Sequence, residues 1–164
     1  MHHDTDLGVL QARCTQTDSF TELVPIALSE LEKFVGGCNI VCGPISTGGR
    51  GSVEENLKVF FGTIDALRAE GRAVFSQKPY EERIFFFRTR WQGEDPSRIG
   101  AYCMPILEEF YEPLFKRGII KDAWFIPGWE SSFGARWERK TLTALGVTIH
   151  DLTTEWIDQH IAKT

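Results

Sequence analysis

The sequence predicts an α/β fold built on a parallel sheet of four or five strands. Short apolar, β-branched runs alternate with longer segments of helical periodicity. Gly-Pro or Pro-Gly closes two of these runs, as expected for buried strands. Residues 39–75 read as strand, loop, helix and strand, the spacing of a right-handed crossover between parallel strands.

The elements follow in chain order. Residues 1–18 are polar and aperiodic, and are expected to form a flexible arm. Leu23, Ile26, Ala27, Leu31 and Phe34 recur at helical spacing, so residues 19–37 are expected to hold one amphipathic helix, capped by Ser19 or Thr21 and stopped by Gly36 and Gly37. Residues 39–43 (NIVCG) read as a buried strand. A loop rich in glycine and hydroxyls follows, then a helix over 53–70 with Leu57, Phe60, Phe61, Ile64 and Leu67 inward, stopped by Gly71. Residues 72–75 (RAVF) read as the second strand. Ile84, Phe85, Phe86 and Phe87 fit a strand or a helix, and residues 91–100 read as a loop. A helix is expected over 104–115, strands over 123–126 and 147–150, and helices over 134–145 and 155–161.

Composition excludes several classes. Hydrophobic residues make up 42% and charged residues 25%, which excludes wholesale disorder and fibrous repeats. The 18 Lys and Arg against 23 Asp and Glu give −5, which argues against a nucleic-acid partner. No apolar run approaches the ~18 residues that cross a bilayer, and the first residues lack the marks of a signal peptide. A cytoplasmic protein without a membrane partner is therefore expected, with Cys14, Cys38, Cys42 and Cys103 reduced. No HExxH or Cys/His cluster occurs, so neither a metal nor a cofactor is expected, and none of the four histidines, His2, His3, His150 and His160, is assigned to catalysis.

Ligands of open parallel sheets bind beyond the carboxyl ends of the strands. Two loops leave such ends. The first is GPISTGGRGS, residues 43–52, whose glycines admit close backbone approach and whose hydroxyls and following helix start favour an anion. It is neither GxGxxG nor GxxxxGK[ST], so NAD and ATP are unsupported. The second is PGWESSFGARWE, residues 127–138. Glu138 falls about one turn into the next helix, where Trp129 and Trp137 are expected to desolvate it; the alternative is a first-turn acid favoured by the helix dipole.

These two motifs, in this order on these elements, resemble the nucleoside 2-deoxyribosyltransferase superfamily, and in function its deoxynucleoside 5′-monophosphate N-glycosidase branch. The PGWE form is also similar to an uncharacterised branch of that superfamily. The resemblance covers roughly residues 38–152 and makes 38–164 the expected family domain, a Rossmann/flavodoxin-like three-layer sandwich. It implies a (deoxy)nucleoside or its 5′-monophosphate as substrate and Glu138 as nucleophile, forming a glycosyl-enzyme ester resolved by water or a second base. It implies that Gly43, Ser46, Gly48, Gly49, Arg50, Trp129, Ser132 and Gly134 bind substrate, with Arg136 as a second possible phosphate cation. The acid that protonates the leaving base would come from Glu109 or Glu112, with Glu108 beside them. A homodimer or higher homo-oligomer is implied as well.

Two other readings stand beside this one. GGRGSVEE, residues 48–55, fits the GGxG[ST]xxE pattern and so resembles cytokinin-activating phosphoribohydrolases. Alternatively the same loops form a non-catalytic nucleotide sensor, or the chain is a structural module with no ligand.

Overall fold

A computed structural model describes residues 5–46 and 48–161. The first four residues of the expected arm, His2 and His3 among them, and Thr47 of the glycine loop lie outside this range. Contacts divide the chain into two units. One combines the chain up to Val35 with Gln77–Gly118; the other combines Gly36–Ser76 with the chain from Ile119 on. The boundary expected at residue 38 therefore does not separate the domains, because residues 77–118 pack with the N-terminal helices.

The first unit is helical. The expected arm contains α1 (Leu7–Cys14), capped by Asp6 and burying Leu10 and Cys14. Its tie to the next helix is a buried acid. Glu30 accepts the Thr5 N–H at 3.0 Å, the Thr5 hydroxyl at 2.9 Å and an ion pair from Lys33 at 2.8 Å. Helix α2 (Phe20–Leu31) starts at Ser19, whose hydroxyl accepts the Glu22 N–H, and buries Leu23, Ile26, Ala27 and Leu31. The ambiguous phenylalanine run is helical: α4 (Glu81–Glu94) turns Ile84 and Phe87 inward and leaves Phe85 and Phe86 exposed. It also takes in the first residues of the expected loop, after which Asp95 caps a short 3-10 turn, Pro96–Arg98. The helix expected over 104–115 is a π-helical stretch, Ile106–Tyr111, continued by α5 (Glu112–Lys116).

The second unit holds the sheet. Strands β1 (Cys38–Cys42), β2 (Ile120–Phe125) and β3 (Thr148–Asp151) run parallel in that order. Among the described residues the sheet has three strands, not four or five. The expected strand at 72–75 shrinks to one parallel bridge, Asn39 to Val74. Arg68 is the physical reason that nothing extends this edge: its guanidinium donates to the Val74 carbonyl at 2.6 Å and 3.1 Å, covering the acceptor a further strand would need. Helix α3 (Val53–Ala69) and α7 (Thr154–His160) pack with Val41 in one apolar cluster that includes Val59, Phe60, Ile64, Ile126 and Ile157. Successive strand residues face opposite sides. Cys42 therefore points away from that cluster, toward α6 (Phe133–Ala144), which contacts β1 and β3.

Candidate functional site

The loops that leave β1 and β2 both belong to the second unit. Gly43 is buried, and a Cβ there would stand 2.9 Å from the Ile126 side chain, so glycine lets the two strand exits approach. Gly48 and Gly49 follow with φ of 68° and 66°. A side chain at Gly48 would collide with Ser131 of the second loop.

Two polar side chains clamp the glycine loop. Buried Asn56, on α3, accepts the Arg50 N–H at 2.8 Å and donates to the carbonyls of Ile45 at 3.0 Å and Gly48 at 3.1 Å. The Ser131 hydroxyl accepts the Gly49 N–H at 2.9 Å and donates to the Gly128 carbonyl at 2.7 Å. The Gly49 amide, expected to grip phosphate, is thus committed within the protein. Glu54 and Glu55 occupy the first turn of α3, behind the Ser52 cap, and set negative charge at a helix start expected to favour an anion.

The loop borders two clefts. One, of about 290 Å³, is lined by Ser46, Gly48, Gly49, Ser52, Asn56 and Ser131 among others. The other, of about 280 Å³, is lined by Pro44, Arg50, Val59, Ile126, Thr154 and Ile157 among others. Gly49 and Asn56 border both.

The second loop makes a turn, Trp129–Ser131, and enters α6 at buried Ser132, whose hydroxyl accepts the Ala135 N–H at 3.2 Å. Gly134 is buried just behind it. The Trp129 ring stands edge-on to Phe125 at 5.6 Å, and the Arg139 guanidinium lies 4.2 Å above it. Arg139 in turn pairs with both oxygens of Asp151, at 2.6 Å and 3.0 Å, and this bond holds the Asp151 carboxyl below its ordinary range. Arg136 donates to the Glu130 carbonyl at 2.7 Å.

Glu138 is buried in the second turn of α6. The Cys42 thiol donates a hydrogen bond to its carboxylate; burial, then the Glu138 charge and this bond, push the thiol well above its ordinary pKa. Cys42 ends β1, so the carboxylate sits at the carboxyl end of a parallel strand. It is a wall of neither cleft. Comparison with protein-family models, curated proteins and solved structures finds no match to this chain.

The structure brings Gly43, Ser46, Gly48, Gly49, Arg50, Trp129, Ser132, Gly134 and Glu138 into one unit and puts Glu109 and Glu112 in the other. Glu109 is exposed, and Glu112 pairs with Lys116 at 3.2 Å. Among the described residues no group of His, Cys, Asp and Glu is arranged to hold a metal, and no helix is long and apolar enough to cross a membrane. Sequence reasoning missed Asn56, Ser131 and the Cys42 contact. Asn56 carried one signal, a polar residue in register with the inward Phe60, Thr63 and Leu67 of α3.

Proposed function

We propose that the chain binds a (deoxy)nucleoside or its 5′-monophosphate at the carboxyl edge of the sheet and cleaves or transfers its N-glycosidic bond. In this reading the fold is a small Rossmann/flavodoxin-like one, and the protein is a cytoplasmic homodimer or higher homo-oligomer. One observation carries the proposal. Glu138 is a buried carboxylate at the end of β1, where parallel sheets bind ligands, and it faces the Cys42 thiol. Ser46, Ser52 and Ser131 line one of the two clefts bordered by the glycine loop. A substrate oxygen there would replace the Ser131 hydroxyl as acceptor of the Gly49 N–H. Glu138 attacks the anomeric carbon, the base departs with the electrons of the broken C–N bond and takes a proton from water, and water or a second base then releases the sugar from the ester.

Release of free base from a panel of nucleosides and 5′-monophosphates, by wild type and Glu138→Gln, is the test. Base released by the wild type and lost in the variant supports the reading; equal release by both removes Glu138 from the chemistry.

A second reading, nucleotide binding without cleavage, is favoured by the absence of Glu138 from the walls of both clefts. It predicts thermal stabilisation by a nucleotide, with no base released by either protein.

A further inference from the structure

We propose that the cleft bordered by Arg50 is a binding site of its own, separate from Glu138, for a small planar ring bearing one carboxylate or phosphate. At about 280 Å³ it lies at the lower end of small-molecule pockets, so it suits a single ring with a short substituent. Val59, Ile126 and Ile157 are nearly fully buried and give it an apolar floor, flanked by Pro44 and Pro127. Taking a ring out of water onto that floor is favourable in proportion to the area covered.

The polar side chains on offer are few. Asn56 has both ends of its amide engaged by the loop, and the Gly128 carbonyl accepts from Ser131. That leaves Arg50 and Thr154 as the lining residues whose polar side chains are not committed to the loop. Arg50 makes no side-chain hydrogen bond or ion pair with any described residue. The other two arginines near these loops are engaged, Arg136 by the Glu130 carbonyl and Arg139 by Asp151. A lining that combines an arginine, an apolar floor and one hydroxyl-bearing residue fits an anionic ring and gives a neutral one no charge-assisted bond.

The site is also set apart from the carboxylate. Val59, Ile126 and Ile157 belong to the cluster that packs with Val41, whereas Glu138 meets Cys42, which faces the other side of the sheet. A ligand here is bound, not turned over, and the proposal stands whether or not Glu138 cleaves anything.

The test is a set of titrations of the full chain followed by amide NMR, with orotate, UMP, uridine and inorganic phosphate as probes. Orotate or UMP should shift the amides of Val59, Gly128, Thr154 and Ile157, which also tells a carboxylate ligand from a phosphate one. Uridine, a ring without the anion, and phosphate, an anion without the ring, should bind at least about tenfold more weakly. Arg50→Gln should weaken the bound probe about tenfold or more, and so should Ile157→Phe, which narrows the cleft with Arg50 intact. Glu138→Gln should leave its affinity unchanged. The proposal fails if neither orotate nor UMP shifts these amides at millimolar concentration, if the binding survives Arg50→Gln, or if Glu138→Gln abolishes it.

Discussion

Cys42 and Glu138 meet across the gap between β1 and α6, the thiol giving its proton to a hydrogen bond with the carboxylate. A thiol kept protonated by burial and by a neighbouring negative charge is a donor, not a nucleophile. The pair therefore assigns the two residues different duties. On the proposed reading Cys42 orients the carboxylate, and Glu138 is the group that reacts.

That division predicts a graded mutational response. Cys42→Ser keeps a donor of similar shape and should retain base release within a few-fold; Cys42→Ala removes the donor and should cost about tenfold, the worth of one hydrogen bond to a charged group. The infrared S–H stretch gives a readout independent of turnover. One band should lie displaced from those of the other three thiols, vanish in Cys42→Ala and move in Glu138→Gln. Unshifted bands throughout, four in the wild type and Glu138→Gln and three in Cys42→Ala, would show that the bond does not form.

The sequence discloses more of this site's chain order than of its geometry. Gly-Pro after β1 and Pro-Gly after β2 mark both strand exits, because buried parallel strands are apolar and end abruptly. The Cys42 contact is not legible, since it depends on which face of a five-residue strand meets α6, a long-range choice that local periodicity does not encode. The missing fourth strand has a similar origin. RAVF has strand propensity, but its bridge to Asn39 is single and Arg68 closes its outer edge. The phenylalanine run is ambiguous because four adjacent apolar residues, Ile84 to Phe87, are compatible with either period. In the helix two of them stay exposed, with Arg83 4.3 Å above Phe86 and Arg88 4.8 Å above Phe85.

Asn56 should be the most sensitive polar position of the second unit. Asn56→Ala deletes three hydrogen bonds that shape the glycine loop and should destabilise by about 2 kcal/mol. Urea unfolding gives the magnitude, and hydrogen exchange should show the Arg50 amide losing protection first. Unchanged protection at Arg50 would show that the backbone alone holds the loop.

Glu81 should make the first unit less stable as pH rises through neutrality. Burial lifts its carboxyl to about 7, against the pull of Arg88. A raised carboxyl pKa means that the fold prefers the protonated form. Its contribution is whole below the ordinary glutamate value of about 4.3 and declines as pH climbs to about 7. The loss is on the order of 2 kcal/mol, discounted because the side chain keeps some contact with water. Glu81→Gln should abolish it, so urea midpoints at pH 5 and pH 7.5 should differ less in the variant than in the wild type. An identical pH response in both would mean that Glu81 is solvated like an ordinary glutamate.

Glu30 has the opposite sign. Burial tends to raise its pKa, but hydrogen bonds from Lys33 and from the Thr5 amide and hydroxyl outweigh burial and hold it below the ordinary value. Its contribution is present above about pH 4.3 and fades as pH falls through its lowered folded value. The same bonds tie residue 5 to α2, which is how a polar, aperiodic N-terminal segment comes to hold a packed helix with Leu10 buried. Glu30→Ala leaves the Thr5 amide without its acceptor and Lys33 with the Thr5 hydroxyl in place of a carboxylate, and should cost about 2–3 kcal/mol near pH 7. Thr5→Val, which loses the hydroxyl's bonds to Glu30 and from Lys33 but keeps the amide bond, should cost about 1 kcal/mol. In Glu30→Ala the amides of α1 should exchange faster than those of α2. If α1 keeps its protection, packing of Leu10 and Cys14, and not the acid, is what anchors it.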